Sequence, residues 1–177
     1  MKTLDLLPIG DVDLQLLECV RPALTAAFRA PCRILPPRLD PQFAFHAERG
    51  QYHSSELLQA MQHYADETAW RVLGITSMDL YIPILTFVFG EAQMGGPCSI
   101  VSYHRLQQQF YGFPPDATVL ADRLVKEAVH ELGHTFDLTH CSDYSCAMAP
   151  SHAVEWIDLK ESTLCSACQS RAWKAVS

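Results

Sequence analysis

Nowhere in the 177 residues do lysine and arginine gather into a dense block, and the formal net charge is −7. The electrostatic footprint of a nucleic-acid binder is missing, so nucleic acid is not an expected partner. Long apolar runs are missing too. The opening segment MKTLDLLPIGDVDLQLLECV is interrupted by Asp5, Asp11 and Asp13, which leaves no stretch suited to a signal peptide or a membrane span. A cytoplasmic protein with no membrane partner is expected. The chain also lacks internal repeats, low-complexity tracts and a Gly/Ser-rich linker. Charged residues are only 19% against 49% apolar ones, the balance of a packed globule rather than a disordered chain. Residues 1–177 are therefore expected to form one domain.

Cysteine is not scarce, but its number, seven, is odd, which argues against a complete disulfide framework. Cys19, Cys32 and Cys98 stand in apolar surroundings and read as buried small hydrophobes. Cys141, Cys146, Cys165 and Cys168 cluster late in the chain, and in a reducing compartment such a group is better suited to a metal than to bridges.

Helical spacing of leucines and small apolar residues predicts a first helix from Asp11 to Phe28, with a kink or break at Pro22. CRILPP reads as a short first strand, and PPRLDPQFAFHAERGQYHSS as a long surface loop. Ser54 or Ser55 could cap a second helix running to about Trp70. RVLGITSMDL, TFVFGEAQ and CSIVSYHRL read as strands. Asp116, after two prolines, is placed to cap a third helix whose apolar face is Val119, Leu120, Leu124, Val125, Ala128 and Leu132. The order of elements predicts an α+β fold, a mixed sheet with helices packed on it.

The third helix ends in HELGHTFDLTHC, residues 130–141. Side chains four apart on a helix share a face, so His130 and His134 can present both rings to one ion. Tetrahedral zinc needs one more protein ligand and an open position to be catalytic, and His140 supplies that ligand if the chain turns back after His134. The turn requires a left-handed residue, and Asp137, of a type that tolerates positive φ, is where it is expected. Glu131 adjoins the first ligand and is suited to take the proton of water activated by zinc, the chemistry of attack on a peptide carbonyl. Chance alone produces the two-histidine, one-glutamate pattern about 0.02 times in such a chain, and about 0.001 times with the third histidine at its offset.

Cys141 follows the third histidine, Cys146 comes four intervening residues later, and CSAC adds Cys165 and Cys168. Four thiolates complete a closed, structural zinc site with no room for water. Two Zn²⁺ per chain are expected, and a redox dithiol at Cys165 and Cys168 is the bland alternative. Glu91 is a minor candidate for lining the cleft. Tyr103 and His104 read as structural, and His46, His53, His63 and His152 have no partner at ligand spacing.

HELGHTFDLTHC, then CAM, then CSAC, resembles the archaemetzincins, a branch of the metzincin zinc peptidases. RGQYHSSELL, DLYIPILTFVFGEA and VSYHRL extend the likeness upstream. The resemblance implies a catalytic zinc on His130, His134 and His140, Glu131 as general base, a Met-turn at Met148 beneath the site, and a second zinc on Cys141, Cys146, Cys165 and Cys168. It also implies a metzincin-like fold: a twisted mixed sheet over a long active-site helix in residues 1–136, with the third ligand, the Met-turn and a small zinc-bound part in residues 137–177. An edge strand would bind an extended peptide, and CSIVSYHRL is the candidate. The chain departs from the family pattern at Asp137, where the family has glycine. The function expected is a zinc-dependent peptidase acting on a peptide or protein substrate. The alternative is a zinc-stabilised module that binds peptides without hydrolysis, and a third reading is a zinc reservoir or redox sensor.

Overall fold

Seven residues that the apolar pattern passes over, Thr3–Ile9, form the strand on which the sheet is built. The computed structural model describes residues 2–37, 39–66 and 69–176. Strand β1 (Thr3–Ile9) is followed by helix α1 (Leu14–Phe28), β2 (Cys32–Ile34), a 3₁₀ turn at Pro41–Ala44, the hairpin of β3 (Phe45–His46) and β4 (Gln51–His53), and α2 (Ser54–Met61). Then come β5 (Ala69–Thr76), β6 (Leu80–Tyr81), β7 (Gly90–Ala92), β8 (Cys98–Ser102), α3 (Ala117–Thr135), α4 (Val154–Leu159) and α5 (Ser166–Val176).

The main sheet runs β2-β1-β5-β8-β7, with every neighbouring pair parallel except β7 against β8. A smaller sheet runs β3-β4-β6. Both faces of the main sheet are covered, and alternate residues divide between them. Leu4, Leu6, Leu73, Ile75 and Val101 meet Leu17, Leu24, Leu124 and Leu132 of α1 and α3. Leu7, Ile9, Val72, Cys98 and Ile100 meet Leu57, Leu58 and Met61 of α2 on the other side. This is the period-two alternation of a strand with apolar partners on both faces. Leu124 and Leu132 are fully buried, and burying two leucines contributes about 3–6 kcal/mol to holding α3 on the sheet.

The fold is α+β with a mixed sheet, as expected, but several elements differ. CRILPP supplies the second strand, not the first. Asp5, which interrupts the apolar run, lies in β1 and is 1% exposed because Arg33 of β2 grips it with two bonds of 2.6 and 2.8 Å. α1 begins one residue after its cap, Asp13, whose carboxylate accepts from the Gln15 amide, and it continues through Pro22. The expected loop of residues 36–55 contains the 3₁₀ turn and the β3-β4 hairpin. α2 stops at Met61 instead of near Trp70, which lies in β5, and its cap residue is His53 with no side-chain bond. Within TFVFGEAQ only Gly90–Ala92 is strand. Cys32 and Cys98 are buried, whereas Cys19 is exposed because it faces away from the buried row Leu16, Leu17, Val20 and Leu24 of α1.

Candidate active site

α3 starts where Asp116 accepts hydrogen bonds from the Thr118 and Val119 amides at 2.9 and 3.0 Å. It ends in a Schellman turn: the Leu138 amide bonds the Gly133 carbonyl and the Asp137 amide bonds that of His134. Such a turn needs a left-handed residue at its penultimate position, and Asp137 has φ 59°. The expected turn-back of the chain is present. An added methyl at Gly95, itself at φ +63°, would meet the Asp137 carboxylate at 2.6 Å, so this neighbour leaves the aspartate its room.

The turn carries His140 back beside the helix. Ring centroids of His130, His134 and His140 lie 4.7 to 5.3 Å apart, and their donor nitrogens all fall within 4.8 Å of one another. His130 Nδ1 meets the Ala147 carbonyl at 2.9 Å and His134 Nδ1 that of Leu138 at 2.7 Å. A carbonyl only accepts, so both Nδ1 atoms carry protons, and the Nε2 lone pairs of the neutral rings then face each other at 3.1 Å. Two lone pairs so placed repel unless a cation lies between them. Ligands about 2.0–2.1 Å from a tetrahedral zinc stand about 3.3–3.4 Å apart, which this pair fits. Burial, with Lys160 nearby, holds His130 well below its ordinary pKa; burial also lowers His134 and His140. All three rings are thereby kept in the neutral form a metal ligand requires.

Glu131 is 6% exposed and lines a cleft of about 550 Å³ together with the three histidines. Burial first, and the neighbouring Glu127 second, raise its carboxyl well above the ordinary range. β7 forms one wall. A methyl at Gly90 would come within 2.6 Å of Glu131 Cγ, so only glycine lets the strand approach this closely. Residues 85–89 extend that wall and Pro150, Ser151 and His152 close the other side. The edge of the sheet is β7, not the expected CSIVSYHRL: that segment contributes β8, which β5 covers on one side and the antiparallel β7 on the other.

Met148 is fully buried, and its sulfur packs so closely on Gly133 that a methyl there would overlap it. The Cys141 amide bonds the Met148 carbonyl at 2.9 Å. Beyond it the structure brings the sulfurs of Cys141, Cys146, Cys165 and Cys168 within 4.8 Å of one another. Cys141 and Cys165 sulfurs are 3.9 Å apart, far beyond a disulfide and close to the ~3.8 Å between two thiolates held about 2.3 Å from a tetrahedral zinc. Cys146 Sγ accepts from the Met148 and Cys165 amides at 3.4 and 3.3 Å; the Cys168 amide lowers the Cys165 thiol below its ordinary range, while burial raises those of Cys146 and Cys168, so a cation is what would hold all four as thiolates. Amides aimed at sulfur suit thiolates.

Glu91 lines the cleft, its carboxylate accepting from both the Ser54 and Ser55 hydroxyls. Tyr103 and His104 have structural partners, the Asp13 amide and the Ser77 carbonyl. His152 sits at the cleft wall. His46 and His53, expected to stand alone, come together with Glu56. Two further residues escape sequence reasoning. Lys160, 2% exposed, bonds the Ala147 and Ala149 carbonyls at 3.1 and 3.2 Å and Glu127 at 2.8 Å. Glu127 lies four residues before Glu131 and so shares its helix face, which was a legible signal; nothing in the sequence points to Lys160.

The family model for peptidase family M54 matches residues 30–174. The archaemetzincin of Methanocaldococcus jannaschii is 38% identical over 161 residues, spanning 91% of this chain and 87% of that protein. That of Haloquadratum walsbyi is 36% identical over 168 residues, spanning 93% and 95%. The crystal structure of archaemetzincin from Methanopyrus kandleri superposes with a TM-score of 0.87 at 32% identity, covering 99% of this chain and 95% of that one. The archaemetzincin of Archaeoglobus fulgidus, solved with malonate, gives 0.81 at 32% identity, covering 96% and 99%.

Proposed function

The chain belongs to peptidase family M54, the archaemetzincins, and is a zinc metallopeptidase; from that premise we propose that Glu131 is the general base for attack of water on a peptide bond. His130, His134 and His140 would hold the catalytic zinc. When bound there, zinc supplies a Lewis acid that polarises the carbonyl and eases deprotonation of water. The observation that carries this reading is the pair of Nε2 atoms facing each other at 3.1 Å with both Nδ1 protons given to backbone carbonyls.

Glu131 stands in the cleft wall beside the first of these rings. Its raised proton affinity makes it an effective acceptor once ionised, and the same carboxyl can then return the proton to the leaving amine. An extended peptide would lie along the outer edge of β7, whose backbone groups are available for strand addition, with its scissile carbonyl over the histidines. Cys141, Cys146, Cys165 and Cys168 would hold a second, structural zinc, making two ions per chain. With Met148 packed under α3, that lower part, residues 137–177, braces the third ligand within one domain. Four thiols kept reduced for metal suit a cytoplasmic setting.

The test is mass spectrometry of a diverse peptide mixture incubated with zinc-loaded protein and with zinc-loaded Glu131→Ala. Cleavage lost in the variant, with zinc content unchanged, supports the assignment. A variant that cleaves as fast as the parent overturns it.

A further inference from the structure

We propose that His46, His53 and Glu56 form an additional metal-ion site that takes a late first-row divalent cation such as Zn²⁺. It lies outside the cleft, on the small sheet. His46 is in β3 and His53 in β4; the register pairs His46 with Gln51, and His53, two residues on, shares that face of the ladder. A four-residue turn ending at Gly50, φ +64°, brings the strands together. Glu56 follows in the first turn of α2, three residues after His53.

The donor atoms converge on one point. Glu56 Oε2 is 3.3 Å from His46 Nε2 and 3.6 Å from His53 Nδ1, and the three donor atoms fall within 4.8 Å of one another. An imidazole–carboxylate hydrogen bond needs one ring. Here a single oxygen faces nitrogens of two rings from two strands, at separations close to the ~3.3 Å edge of a tetrahedron around zinc. Tyr81 holds the rings in place: His53 stacks on it at 5.2 Å and 23°, and His46 meets it edge-on at 5.5 Å. Arg49, whose guanidinium also lies on the Tyr81 ring at 3.9 Å, is anchored by the Leu85 and Thr86 carbonyls.

The donor set selects the ion. Two imidazoles and one carboxylate suit zinc, nickel or copper, whereas magnesium and calcium prefer oxygen throughout. Three protein ligands leave a position for water. Side-chain exposures of 44% for His46, 19% for His53 and 41% for Glu56 leave an ion access from solvent.

The experiment is equilibrium dialysis of the full chain against buffered micromolar Zn²⁺, with bound zinc counted by plasma mass spectrometry. The unmodified protein is expected to hold one ion more than His46→Ala or His53→Gln, and Glu56→Gln to weaken that ion by about tenfold or more. The difference does not depend on how many ions the other histidines and the cysteines hold, so failure here and failure of the peptidase reading are distinguishable. Equal counts in the unmodified protein and His46→Ala overturn the proposal. His46 is exposed, so its replacement should leave thermal unfolding of the metal-free protein unchanged. If His53→Gln fails to fold, ¹⁵N spectra of the unmodified protein decide: the His46 and His53 ring nitrogens shift together on Zn²⁺ addition, and shifts confined to other histidines overturn the proposal.

Discussion

Replacing Lys160 with methionine should separate what holds the fold from what holds the candidate zinc site at His130, His134 and His140. The Lys160 and Glu127 side chains are only 1% and 3% exposed and meet at 2.8 Å. Removing the ammonium leaves a buried carboxylate unpaired, which costs about 3–5 kcal/mol. It also takes a donor from the Ala147 and Ala149 carbonyls, adding about 1 kcal/mol or more. Against a total stability of about 5–15 kcal/mol, that is a large share. Lys160→Met/Glu127→Leu removes both charges and should return to within about 1–2 kcal/mol of the parent, because an apolar replacement of a buried pair is often neutral. Zinc affinity should not return with it. The Ala147 carbonyl that Lys160 grips also receives His130 Nδ1, and loosening such an outer partner lowers metal affinity about 10–100-fold. Urea unfolding of the metal-free protein, its two single variants and the double variant gives the coupling free of the ion's own stabilisation, and competition with a chromophoric chelator gives the affinity. Additive destabilisation would refute the pairing argument. Stability and zinc affinity recovering together would refute the separation of roles.

Gly133→Ala should cost about 1–3 kcal/mol, since the new methyl would overlap the buried Met148 sulfur. That is a fall in Tm of roughly 2–12 °C, less in a Met148→Ala background; equal losses in both backgrounds would remove the packing explanation. In metal-free protein, Glu131 has its folded pKa raised, so its contribution to stability is full below its ordinary value of 4.5 and is lost as pH rises through the raised value. Glu131→Gln should therefore gain stability relative to the parent as pH climbs from 4.5 to the raised value and hold that gain above it, as followed by urea unfolding across a pH series; a difference that stays the same across the whole series contradicts the burial argument. Cys165→Ser/Cys168→Ser should weaken zinc at the histidines, because Cys141 joins the sulfur cluster to His140 along the backbone and to Met148 through its amide. An unchanged affinity there would show that the two clusters act independently.

Legibility followed the distance over which a contact acts. His130 and His134 were readable because helical spacing alone sets them on one face, and the Asp116 cap and Asp137 turn are likewise local. β1 was hidden by Asp5, whose charge is answered by Arg33, 28 residues away across a strand pair. No glycine or proline marks the end of α2 after Met61, so the sequence offers no stop before Trp70, which belongs to β5. Strand order in the sheet is a property of the whole chain, and CSIVSYHRL gives no sign that β7 folds back to cover it. His46, His53 and Glu56 stayed apart for the same reason: only the hairpin inside a proline-bearing segment brings them together.

The partners that orient the three clustered histidines are mostly backbone groups, and this explains both their invisibility in sequence and the tolerance of Asp137. His130 and His134 are fixed by the carbonyls of Ala147 and Leu138, and the turn that carries His140 is closed by the carbonyls of Gly133 and His134. A carbonyl is supplied by any residue type, so what the chain must specify is dihedral angle and space. Position 137 must accept φ 59°, which glycine does freely and aspartate at modest strain. Gly133 must leave room for Met148 and Gly90 room for Glu131. The aspartate costs conformational freedom that glycine would not, but it leaves every hydrogen bond of the turn in place. Replacement of glycine at 137 is therefore compatible with the same arrangement of the histidines, whereas replacement at 133 or 90 is not.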